Sequence, residues 1–94
     1  MQGMEPTLSH DAYFHPDSEA VRFWVCHGDA LVGASVSRRA LHYRFRPEAV
    51  DDDPLETYQR FAALINAAVL RRVAEGALEP VMLREFDLRV QDAP

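Results

Sequence analysis

Residues 20–37 read AVRFWVCHGDALVGASVS, and this stretch decides the fold. Two runs rich in β-branched, aromatic and small residues flank Gly28-Asp29. Glycine supplies a positive φ at the first central position of a two-residue type II′ turn, so the pair predicts a β-hairpin. That turn sets a register. It places Val21 opposite Val36, Phe23 opposite Ala34 and Val25 opposite Val32, all on one face. The other face then pairs Arg22 with Ser35, Trp24 with Gly33 and Cys26 with Leu31. One face is wholly apolar and must be covered, whereas the other is mixed.

The cover lies further along the chain. Residues 54–75 predict one long helix. Asp53 is placed to cap it, Pro54 suits the first helical position, and Glu56 completes an Asp-x-x-Glu capping box. Gly76 is the expected stop. Leu55, Tyr58, Phe61, Ala62, Ile65, Ala68, Val69 and Val73 form one apolar stripe at helical spacing. Between hairpin and helix, Ser37 is a good N-cap for a short helix over 38–45 that turns Leu41 and Phe45 inward, and Pro47 ends it.

The tail from Val81 to Val90 reads as a strand with a fault. Val81 and Leu83 share one parity, while Phe86, Leu88 and Val90 share the other. A bulge or parity change near Arg84 and Glu85 would reconcile them. The strand is assigned to 81–88, and a further strand is weakly indicated within 7–15. The expected fold is therefore α+β: an antiparallel sheet of three or four strands around the hairpin, with the long helix on one face. The expected core is Val21, Phe23, Val25, Val32, Ala34, Val36, Leu41, Phe61, Ile65 and Val69.

The chain has 94 residues, enough for a single domain over 1–94 with flexible ends at 1–6 and 92–94. Hydrophobic residues make up 48%, which speaks against general disorder. A lone cysteine excludes an internal disulfide framework and a multi-cysteine zinc site. The longest uncharged stretch of the helical half, 61–70, is too short to cross a bilayer. No signal-peptide pattern is visible, so the cytoplasm is the expected location and no membrane partner is expected. The net charge of −5 opposes a general nucleic-acid or anionic-membrane binder. Every basic residue is arginine, a bias expected of a GC-rich genome. Charge is segregated: residues 20–46 are net basic, and residues 47–59 are strongly acidic.

Four landmarks recur in order: SEAVRF at 18–23, VSRRAL at 36–41, ETYQRF at 56–61 and VMLREFDL at 81–88. Over residues 8–88 this resembles a small bacterial family, domain of unknown function 1488. The resemblance implies a small α+β fold. It implies no activity and supplies no catalytic residues.

Several local groupings invite a chemical reading. His10, Asp11, His15 and Asp17 lie close in sequence but lack the spacing of a metal site, and Pro16 interrupts any regular frame. They read as a polar acidic loop. Cys26 and His27 are strand neighbours, which point to opposite faces and cannot form a nucleophilic dyad. Ser35 and Ser37 continue a strand and do not sit on a nucleophile elbow. Asp51, Asp52 and Asp53 lack the further ligands of a calcium loop and suit a helix N-terminus. No catalytic residues, metal or cofactor are assigned.

Two surface features remain. Arg38, Arg39, His42 and Arg46 line one stripe of the short helix, with Tyr43 and Trp24 expected nearby. Arginine offers planar donors to phosphate or carboxylate, so this stripe is a candidate anion or partner contact. The opposing reading pairs it with Glu48 and Asp51 to Asp53. Trp24, Leu64 and Leu70 are apolar residues outside the core pattern, a candidate homodimer interface. The leading functional expectation is a non-catalytic cytoplasmic interaction module that binds another protein or a second copy of itself. The alternative is a regulatory protein that binds nucleic acid or another anion through the arginine stripe.

Overall fold

The computed structural model describes residues 11–89. The segments expected to be flexible, 1–6 and 92–94, lie outside the described residues, as does His10. The fold is α+β. In chain order the elements are β1 (Tyr13–His15), β2 (Ala20–His27), β3 (Ala30–Ser37), α1 (Arg38–Phe45), α2 (Pro54–Arg60), α3 (Ala62–Ala74) and β4 (Val81–Leu83), followed by a 3-10 turn at Glu85–Leu88.

The hairpin has the register that its turn predicts. Val21 pairs with Val36, Phe23 with Ala34 and Val25 with Val32. Gly28 takes a φ of 63° at the first central position. The weak first strand is β1, which pairs antiparallel with the base of β2, setting Tyr13 beside Arg22 and Phe14 beside Val21. A turn at 16–19 joins the two, with Glu19 at a φ of 52°. The Glu19 carbonyl accepts the Arg38 N–H at 2.9 Å, tying this turn to the start of α1.

The sheet order is β1-β2-β3-β4, and here the expectation needs correcting. β4 runs parallel to β3, pairing Val81 with Ala34 and Leu83 with Val36, so the sheet is mixed. The reason is topological. Three helices carry the chain back to the end where β3 began, and a strand entering after such a crossover runs parallel to the one before it.

The expected single helix over 54–75 is two helices that meet at Phe61, whose φ and ψ of −113° and 26° leave the helical range. Phe61 N–H is shared between the Thr57 and Tyr58 carbonyls. The bend lets neighbouring aromatics reach different partners. Tyr58 packs on Phe23 of the sheet with ring centroids 4.6 Å apart, while Phe61 stacks on Phe45 of α1 at 4.3 Å. No proline or glycine marks this break in the sequence. At the far end, Gly76 at a φ of 94° closes α3. The Ala77 N–H bonds Arg72 O and the Gly76 N–H bonds Val73 O, the paired bonds of a Schellman motif.

The strand expected over 81–88 ends at Leu83. The parity fault at Arg84 and Glu85 is the 3-10 turn, which drives Leu88 into the core while Phe86 stays exposed. Three arginines hold this turn. Arg44 Nε donates to Leu88 O at 3.1 Å, and Arg71 donates to Asp87 O at 2.7 Å. Arg72 donates to the Asp87 carboxylate at 2.9 Å. Asp87 is buried, and its carboxylate also accepts the Arg84 backbone N–H. A buried carboxylate supplied with donors in this way avoids the penalty of an unpaired charge.

The core lies between the inner sheet face and the helices. Val21, Phe23, Val36, Leu41, Ile65 and Val69 are fully buried, as expected. Val32 and Phe61 pack against the cluster but remain partly exposed, whereas Val81, Leu83 and Leu88 complete it.

Candidate functional site: the open face of the sheet

Among the described residues, the helices pack on one face of the sheet and not on the other. Strand alternation determines what that open face carries. Because Phe23 and Val25 point inward, Arg22 and Trp24 point outward, and the β1 register adds Tyr13. β3 contributes Gly33 and Ser35, and β4 contributes Met82 opposite Ser35. Arg39 and Tyr43 of α1 form one wall and Arg84 stands after β4, enclosing a trough of about 1060 Å³.

Its floor is aromatic. The Tyr13 and Trp24 rings stack with centroids 6.2 Å apart and an interplanar angle of 27°. Trp24 lies across Gly33, with Nε1 3.5 Å from where a Cβ would stand. A strand glycine covered by a cross-strand aromatic recovers packing that its missing side chain cannot supply. The Gly33 N–H donates to Glu79 Oε2 at 2.6 Å, which fixes the approach to β4.

The rim is cationic. Arg22, Arg39, Arg72 and Arg84 line the trough against one acid, Glu85, although the chain is net acidic. Arg72 is engaged with Asp87. Arg39 lies over the Tyr43 ring at 5.8 Å from its centroid, a cation–π contact. Among the described residues, Arg22, Arg38 and Arg39 form no ion pair. Arg84 is three-quarters exposed and reaches Asp87 only at 4.0 Å.

The predicted arginine stripe divides into two parts. His42 Nδ1 meets Asp52 Oδ2 at 3.0 Å, and Arg46 meets Glu56 at 3.4 Å. The hydrogen bond from His42 is the main cause that holds the Asp52 carboxyl below its ordinary pKa. His42 and Arg46 thus serve the link between α1 and α2, while Arg38 and Arg39 stay exposed. Arg39 faces the trough together with Tyr43 and Trp24, the two aromatics expected near it. Asp53 caps α2, accepting the Leu55 N–H at 2.9 Å. Glu56 contacts Arg46 and Arg60.

Trp24, Leu64 and Leu70 do not come together. Trp24 is on the open face, whereas Leu64 and Leu70 ride on α3 behind the sheet, and Leu70 packs partly against the core. The N-terminal His/Asp cluster is represented by His15, whose Nδ1 accepts the Ser18 N–H at 3.2 Å and so braces the turn. Among the described residues no group of three or more His, Cys, Asp or Glu is placed to hold a metal ion. Cys26 is exposed. No helix of the described residues is long and apolar enough to cross a membrane.

Alternation alone sets Arg22 beside Trp24 and so points to part of this face. Tyr13 needed the register of β1, and Met82 and Arg84 needed the placement of β4. No family model matches the chain, nor does any curated protein or solved structure.

Proposed function

We propose that this protein is a binding module that takes an anionic partner on the open face of its sheet. One observation carries the reading: Arg22, Arg39 and Arg84 line one trough with the stacked Tyr13–Trp24 pair in a chain whose net charge is −5. Cations gathered on one face of an acidic protein create a local field that the net charge hides. The arginine fork matches phosphate and carboxylate oxygens in pairs. Self-docking of this face is unfavourable, because it would set arginine against arginine. The arginine-based reading of the sequence is thus favoured over self-association, with Arg39 retained from the original stripe and Arg22 and Arg84 replacing His42 and Arg46.

The chain contains a single tryptophan, which lies on this face and reports binding directly. Titration with inorganic polyphosphate at 50 mM salt should change Trp24 fluorescence saturably. Replacing Arg22, Arg39 and Arg84 together by Ala should weaken that binding by at least about tenfold, since charged hydrogen bonds contribute roughly 1.5–3 kcal/mol each. A flat titration, or equal affinity of the triple variant, overturns the reading.

A further inference from the structure

We infer that the anion taken by this face is the acidic loop of a second copy of the chain, its Glu48 and Asp51 meeting Arg22 and Arg39 while Val50 between them settles against Met82. The inference rests on the anion-binding reading above and names the partner. Face to face, two copies oppose arginine with arginine; face to loop, they oppose arginine with acid. The link between α1 and α2 supplies that loop, and its acids divide as the arginines do. Asp52 bonds His42, Asp53 caps α2, and Glu56 meets Arg46 and Arg60. Glu48 and Asp51 are exposed and, among the described residues, form no ion pair. Val50 is 88% exposed, more than any other large apolar residue described. These three side chains add little to the fold, yet the fold holds their backbone. The Ala49 N–H bonds Arg46 O at 3.1 Å, and the contact of His42 with Asp52 pins the far end. A loop fixed in this way loses little freedom on docking.

The trough is graded to receive such a loop. Strand register sets Tyr13, Arg22, Ser35 and Met82 in one row across the open face. Met82 is 62% exposed and, with Tyr43 on the α1 wall, offers an apolar surface to Val50. On the hairpin-tip side of this row, the Glu79 carboxylate already holds the Gly33 N–H beside Trp24. On the other side, Arg39 stands where β3 runs into α1, and Arg84 is offset by its neighbour Glu85. Incoming acids are thus repelled from the tip and drawn to Arg22 and Arg39. The contact needs no ring face of Trp24, which keeps its stacking on Tyr13. Each copy carries both a trough and a loop, so the contact is heterologous and builds chains unless its rotation closes. One loop in one trough falls short of the about 1,200–2,000 Å² of a stable interface, so association is weak and salt-sensitive.

The test is sedimentation of the full chain at 50 mM salt, up to millimolar concentration. Wild type is expected to associate progressively and to return to monomer at 1 M salt, where the Debye length is about 3 Å. Arg22→Glu with Arg39→Glu, and separately Glu48→Arg with Asp51→Arg, should each weaken association by at least about tenfold. The first double variant should also lose polyphosphate binding, whereas the second should keep it. Mixed in equal amounts, the two variants should recover association, because each trough then meets a loop of opposite charge. A variant that had merely misfolded gives no such recovery. Wild type that stays monomeric at every concentration, association that survives both charge reversals, or a mixture that stays monomeric overturns the loop as partner, while polyphosphate binding leaves the anion reading intact. A chain that neither associates nor binds polyphosphate overturns both.

Discussion

On the inner side of the hairpin, Val21, Phe23 and Val25 meet Val36, Ala34 and Val32, and the helices exclude water from nearly all of them. One residue along each strand, on the outer side, Arg22 and Trp24 pair with Ser35 and Gly33 and line the trough. The same backbone thus builds a core and an exposed aromatic, cationic surface. The arginines show the same contrast. Arg44, Arg71 and Arg72 each bond the 3-10 turn that closes the fold, whereas Arg22 and Arg39 contribute no such bond. Residue type does not separate structural from functional arginine here. The number of fixed acceptors within reach does.

The largest effect should come from the inner face. Phe23 is fully buried against Tyr58, so Phe23→Ala should cost about 3–5 kcal/mol, read from the urea midpoint. That is a large part of the stability of a domain this size. Trp24→Phe, one residue away on the open face, should move the midpoint far less. Similar losses at the two positions would mean that both faces are covered.

A smaller effect should separate the two sets of arginines. Asp87→Ala strips Arg72 and the Arg84 N–H of their shared acceptor and should cost about 2–3 kcal/mol. Arg22→Ala and Arg39→Ala should each stay within about 0.5 kcal/mol of wild type by the same measurement. A loss at Arg22 as large as that at Asp87 would make Arg22 a structural residue and remove it from the proposed site.

How far this contrast was legible in sequence depended on the range of the signal. The hairpin register followed from one glycine turn and strict alternation, both local, and it placed Arg22 and Trp24 on a common face. The caps at Ser37, Asp53 and Gly76 were equally local. The break at Phe61 was not, because it arises from tertiary partners, Phe45 on one side and Phe23 beneath Tyr58. The parity fault at Arg84 and Glu85 was visible, but a bulge and a 3-10 turn leave the same trace in the pattern. What settles it is the bonding of Asp87 and Leu88 to arginines 15 to 44 residues earlier in the chain. The parallel direction of β4 could have been inferred from the helices that precede it. The trough needed all four strands in place before its rim existed.

The smallest effect belongs to the half of the arginine stripe that the fold absorbs. Asp52 accepts from His42, and this hydrogen bond, aided by the charges of His42 and Arg46, lowers its pKa against the opposing effect of burial. A carboxylate with a depressed folded-state pKa binds protons less readily folded than unfolded. Its contribution is therefore complete above the unfolded value, about pH 4, and is lost as pH falls through the lower folded value. Asp52→Asn should melt below wild type at pH 6, and the gap should close as both proteins are taken below pH 3. Polyphosphate affinity at neutral pH should be unchanged in this variant, because His42 and Asp52 hold the link to α2 and not the trough. A variant that kept its melting temperature at pH 6 but lost polyphosphate binding would return His42 to the binding surface and redraw the border between the two kinds of cation.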